Sequence, residues 1–205
     1  MEETPLESDK SNRLVLKDFI TVAIFSAIYL LGIMIVGMPL DLLVVTAVTY
    51  PFFAALFLGV PSMLVLAKVP KPFAIFIYAI IPAFVSSLMG DTIITMIHGV
   101  IIAILAEIIR KLMGYKTIKG NIVSYAVMSL FTCGSFWQLY ILADQHRANV
   151  EKMMGPEYTD YVKQFFSLPI WIMPIMYVTC ILGGIIGGLL GVKILKKHFV
   201  KAGIV

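Results

Sequence analysis

The 205-residue chain is 60% hydrophobic and only 14% charged, with a mean hydropathy of +0.96. A soluble domain carries about 45–50% apolar and about 25% charged residues, so this composition excludes a water-soluble globule, and its apolar content excludes a disordered chain. The net charge of +4 is distributed between apolar stretches and is not gathered on one face, which argues against nucleic-acid binding.

A membrane crossing needs about 20 apolar residues, and the chain offers six such stretches in order. Residues 1–17 are polar. Glu2, Glu3, Glu7 and Asp9 stand where a signal peptide has its basic start, so this segment reads as a cytoplasmic tail. Spans follow at about 18–38, 42–67, 73–90, 92–110, 120–143 and 165–192. The second is long for a straight crossing, and Pro51 and Pro61 predict a kink or a break in it. Pro82 lies inside the third. Asp41 and Asp91 mark turns, and Arg110 opens a basic loop that reaches Lys119. Residues 144–164 form the longest polar segment, with helical stretches broken at Gly155-Pro156, and 193–205 form a basic tail. The expected fold is a single all-α integral membrane domain, a six-transmembrane-helix bundle with no room for a separate soluble domain.

Orientation follows from charge. With six spans, Lys10, Arg13, Lys17, Lys68, Lys71, Arg110, Lys111, Lys116, Lys119, Lys193, Lys196, Lys197 and Lys201 share the face of both termini. The other face holds only Arg147, Lys152 and Lys163. Cytoplasmic loops collect Lys and Arg, so both termini are expected in the cytoplasm, with the loops at Asp41, Asp91 and 144–164 outside.

Small residues recur at four-residue spacing at Ala23 and Ala27 (with Ser26 beside them), at Ala79 and Ala83, and at Gly183, Gly184, Gly187, Gly188 and Gly191. Such patterns let helix backbones approach closely. The glycines suit packing inside the bundle, whereas the Ala23 surface suits either packing or another membrane protein. Ionisable groups within spans are few. Asp91, Thr92, Thr95 and His98 recur at three- and four-residue spacing and form a polar stripe descending from the outer surface, although His98 can also be a core histidine bonded to a neighbouring helix. Glu107 lies four residues before Lys111, a helical ion-pair spacing. Trp137, Gln138 and Tyr140 sit at the outer end of the fifth span. Aromatic residues there anchor the interface, and with an amide they also suit a flat, partly polar ligand. The long loop carries His146, Arg147, Glu151, Met153, Met154, Tyr158, Asp160 and Tyr161, and suits a lid or a surface cap. Cys133 and Cys180 fall in apolar stretches and read as packing residues.

There is no P-loop, no HExxH helix and no GxSxG elbow. No acidic pair lies deep in a span, and Lys and Arg are missing from the span centres, which excludes a voltage sensor. These absences point to a binding bundle with no catalytic residues and no resident metal. The alternatives are a standalone secondary carrier, for which His98, Asp91 and Glu107 are the available coupling groups, and an intramembrane enzyme, for which no nucleophile stands at convincing spacing.

Residues 16–29, LKDFITVAIFSAIY, resemble the first helix of the S components of energy-coupling factor transporters. The run GGLLG at 187–191, followed by KKHFVKAGI at 196–204, is similar to the ending of one subgroup, the Trep_Strep or MptD-type family. The resemblance extends over essentially the whole chain. It implies a small membrane subunit that captures a micronutrient from outside and performs no chemistry of its own. It implies docking on a transmembrane coupling subunit that sits on two ABC-type ATPases, within the lipid bilayer of a prokaryotic cell membrane. Residues corresponding to the family's docking surface are Ala23 and Ala27, with Ser26 beside them. The family's pocket in the outer half implies Asp91, Thr95, His98, Trp137, Gln138, Tyr140 and loop residues such as His146 as substrate-binding candidates. For the ligand, a haem or corrinoid would take His98, His146 or Met96 as an axial ligand. A flat vitamin stacked at Trp137 and held by Gln138 is the competing expectation. The nickel and cobalt type is disfavoured, since residues 1–17 contain no histidine.

Overall fold

The computed structural model describes residues 13–40, 44–155 and 168–199. Asp41, Tyr158, Asp160 and Tyr161 lie outside the described residues. Every regular element among those described is helical. Helix α1 spans Leu16–Leu40, α2 Val44–Phe57, α3 Gly59–Lys68, α4 Ala74–Leu88, α5 Ile93–Met113 and α6 Ile118–Met128. A 3-10 segment, Ser129–Cys133, joins α6 to α7, Gly134–Ile141. Helix α8, Ala143–Met154, and helix α9, Ile172–Ile194, complete the described helices, and α9 ends in a π-helical turn, Leu195–Phe199.

Among the described residues, four stretches are long and apolar enough to cross a membrane: Leu16–Gly37, Ile93–Met113, Ile118–Ile141 and Ile172–Lys197. The bent pair α2–α3 makes a fifth when counted as one span. The stretch expected to be the third span contributes the 15-residue α4, about 22 Å long at 1.5 Å per residue. That is shorter than a hydrocarbon core of about 30 Å.

The expected break in the second span lies at Leu58, where α2 and α3 meet at 41°. Pro61 has no N–H to offer the Phe57 carbonyl one turn back, and this opens the ladder there. The break is also where α9 approaches most closely. A Cβ on Gly59 would collide with the backbone of Gly187, and one on Gly187 would stand 2.5 Å from the carbonyl oxygens of Ala55 and Leu56. Gly183 faces the Phe52 carbonyl at 2.5 Å and Gly191 the Gly59 carbonyl at 2.7 Å, measured from the same Cβ position. Gly184 and Gly188 lie against Ala126 and Ile122 of α6. The glycine face of α9 therefore packs inward, between the bent pair on one side and α6 on the other. Hydroxyl groups close the core: Tyr125 donates to the Ala55 carbonyl at 2.6 Å, and Tyr78 shares a 2.9 Å bond with Ser62. Cys133 and Cys180 are buried free thiols, as packing residues would be.

Arg110 departs from the sequence-based expectation. It belongs to α5, not to a loop, and is fully buried. Its Nη2 donates to the carbonyls of Leu66 (2.9 Å) and Val69 (3.1 Å), where α3 ends, and its Nε donates to Asn121 Oδ1 of α6 (3.1 Å). Burying a guanidinium is costly unless its donors find acceptors, and the open carbonyls of a helix C-terminus supply them. Glu107 does not pair with Lys111. Its Oε1 accepts from the Phe73 N–H at 2.8 Å and from the Tyr115 hydroxyl at 3.0 Å. Phe73 has φ 64, and the Glu107 contact holds this left-handed residue at the start of α4. Asp18 bonds Lys71 at 2.7 Å, which ties the start of α1 to the same end of the bundle.

Two predictions follow from this packing. Gly187→Ala should destabilise by about 1–3 kcal/mol, because backbone oxygens cannot yield. Gly188→Ala should cost less, because it meets the Ile122 side chain at 3.1 Å. Arg110→Met should cost at least about 2 kcal/mol by leaving acceptors buried without donors. The midpoint of thermal unfolding in mild detergent reads both.

Candidate functional site

At the end of the bundle opposite Arg110, the turn between α4 and α5 carries Gly90, Asp91 and Thr92. Gly90 adopts φ +110, a conformation that only glycine takes readily. The next two residues are fixed by α7: Gln138 donates from Nε2 to Asp91 Oδ1 at 2.8 Å and accepts from the Thr92 N–H at 2.8 Å. Gln138 is 2% exposed, and both ends of its amide have protein partners. It is therefore a positioning residue for Asp91, and the expectation that it faces a ligand is corrected.

Asp91 and Thr95, one helical turn apart, line a cavity of about 120 Å³ together with Ile33, Tyr50, Ser86, Phe131, Thr132 and Ser135. Thr95 is 1% exposed, with its hydroxyl beside the Asp91 carboxyl. Burial pushes the Asp91 carboxyl above its ordinary value, an effect opposed by the Gln138 amide and the nearby Thr95 hydroxyl.

The expected stripe divides at His98. Its Nε2 shares a short hydrogen bond with the Tyr177 hydroxyl of α9, and its Nδ1 packs against Gly134, where a Cβ would stand only 2.7 Å away. Trp137 donates to the same Tyr177 hydroxyl at 2.8 Å, and Tyr140 meets Trp137 edge-on at 6.4 Å between ring centres. His98, Trp137 and Tyr140 thus form a cluster around Tyr177, apart from the residues that line the cavity. Tyr177 is absent from the expected site. Its signal is a phenol within an apolar span, since a buried phenol needs a polar partner. An axial haem or corrinoid bond at His98 would have to displace Tyr177 or Gly134. A cavity of about 120 Å³ also falls well short of the ~300 Å³ at which ligand pockets usually begin. Among the described residues, no group of three His, Cys, Asp or Glu could hold a metal ion.

Helix α8 runs from Ala143 to Gly155 (φ +89), where the expected break in the long loop lies. It lies over the Gly90 turn: Asn149 donates to the Gly90 carbonyl at 3.1 Å, and the Met153 sulfur packs on Gly90. His146 is half-buried within α8, and its pKa is lowered by burial.

The docking candidates separate as well. Ala23 and Ala27 are exposed on α1, together with Ile20, Ile24 and Ile28. Ser26 points the other way. It is fully buried and donates to the Val22 carbonyl at 2.9 Å and the Tyr78 carbonyl of α4 at 3.3 Å, so its place on an outward surface is corrected.

The Asp91 carboxyl predicts a pH effect. Its folded-state pKa lies above the ordinary carboxyl value, so the folded protein binds the extra proton in that window and stability falls as pH rises through it. The slope cannot exceed about 1.4 kcal/mol per pH unit for one proton. Asp91→Asn keeps the acceptor for Gln138 and should flatten that part of the curve, measured as thermal midpoint against pH in detergent.

No curated protein and no solved structure matches the chain. Residues 16–201 match the Trep_Strep family, described as hypothetical bacterial integral membrane proteins. With its run of apolar helices, the chain is a multi-pass bacterial membrane protein and belongs to the Trep_Strep family.

Proposed function

We propose that this protein is the substrate-binding subunit of an energy-coupling factor type importer. It takes a small nutrient from outside and docks on a transmembrane coupling subunit that carries two ABC-type ATPases. The observation that supports this reading best is the outward face of α1. Ala23 and Ala27 stand exposed on the least buried of the membrane-length helices, and they form a smooth strip that another helix can approach closely. Phe19, one turn before Ala23, lines a hollow of about 550 Å³ that also includes Phe73, Phe76 and Ile77. This adds apolar surface beside the strip. In the same reading α4 is the sixth crossing, with its short length accommodated by local bilayer thinning. Both termini then face the cytoplasm, and the Asp91 cavity opens toward the outside under α8. In this reading the protein performs no chemistry of its own, and the ATPases of the partner subunits drive transport.

The docking face is tested by substitution. The double variant Ala23→Leu, Ala27→Leu should unfold at the wild-type temperature yet fail to co-purify with the coupling subunit and its ATPases. Ser26→Leu should lower the unfolding temperature itself, because its side chain is inside the bundle. Normal co-purification of the double Leu variant rejects the docking assignment, and nutrient uptake without any coupling subunit supports a standalone carrier instead.

A further inference from the structure

We propose that the ligand taken at the Asp91 end is recognised through a positively charged, donor-rich head group, a protonated amine or amidine, seated between Asp91 and Thr95. This deepens the transport reading and rests on it. The lining holds one carboxylate with acceptors beside it, and the Ser86 and Tyr50 hydroxyls, also in the lining, can turn to accept. The Thr132 hydroxyl donates to the Ser129 carbonyl at 2.8 Å, and the Ser135 hydroxyl donates to the Thr132 carbonyl at 3.2 Å. With their protons so engaged, these hydroxyls offer the cavity only lone pairs. The Gln138 N–H, a possible donor to a ligand, is bonded to Asp91 Oδ1. The Thr95 hydroxyl is buried beside the Asp91 carboxylate and interacts with it, so its proton faces that carboxylate and its lone pairs are left for a donor in the cavity. The lining includes one carboxylate and no Lys, Arg or His, so an anion would meet repulsion. The rings of Tyr50 and Phe131, also in the lining, favour a cation over a neutral group. The volume suits a head group only. About 120 Å³ is well below the ~300 Å³ at which ligand pockets usually begin, so the rest of a larger ligand would have to extend out of the cavity.

The test uses the purified full chain in mild detergent, with thermal unfolding as readout. Acetamidinium chloride and methylammonium chloride are compared with neutral acetamide and with sodium acetate at matched ionic strength. The two cations at tens of millimolar should raise the midpoint by a few degrees, and acetamide and acetate should not. Asp91→Asn, which keeps the Gln138 bond, should abolish the shift, and Thr95→Val should reduce it. An equal shift with acetamide, a larger shift with acetate, an undiminished cation shift in Asp91→Asn, or no shift with any probe overturns the proposal. Co-purification of the wild-type chain with a coupling subunit judges the transport reading separately, so either can fail while the other stands.

Discussion

The bundle depends on one close approach, that of α9 to the bent pair α2–α3. In lipid, apolar side chains gain little by leaving their surroundings for one another, so helices adhere through dense van der Waals contact. Gly183, Gly187 and Gly191 supply it by removing every side chain between two backbones. The break at Leu58 and the glycine at 59 bring the partner backbone to meet them. The same helix carries Gly184 and Gly188 on an adjoining face, so α6 is drawn in as well and the 3-10 segment follows it. That chain of contacts carries α7, and with it Gln138, to the turn where Asp91 sits.

At both ends of the bundle, buried polar side chains are matched to backbone groups that the helices leave open. At one end Arg110 closes off carbonyls that α3 cannot satisfy, and Glu107 holds Phe73 in its unusual conformation. At the other end Gln138 plays the same part for Asp91 and Thr92. Beside the cavity, the hydroxyls at 129, 132 and 135 reach backbone carbonyls.

Much of the architecture was legible in the sequence. Uncharged stretches lie over the described helices, although the sixth was expected from 165 and α9 begins at Ile172; Pro61 marked the break, and the glycine repeat marked the packed face of α9. Helical spacing also put Asp91 and Thr95 on one side of α5. What spacing could not reveal is the partner across the gap. Arg110 looked like loop charge because its acceptors are the carbonyls of Leu66 and Val69, and a carbonyl has no sequence signature. Ser26 looked equivalent to Ala23 and Ala27, yet one residue turns a side chain by about 100° around a helix, and that rotation takes it from the lipid face to the core. His98 continued the stripe on paper, but Tyr177, 79 residues away, holds it in another cluster.

The hold of α8 on the Gly90 turn has a consequence for timing. It includes an amide hydrogen bond from Asn149 and the thioether of Met153, a side chain that is 59% exposed. Segments held by few buried contacts open at a small fraction of the free energy needed to unfold a domain. How readily α8 opens is therefore set by these contacts and by those of His146 and Arg147, which are separate from the packing of the glycine face of α9.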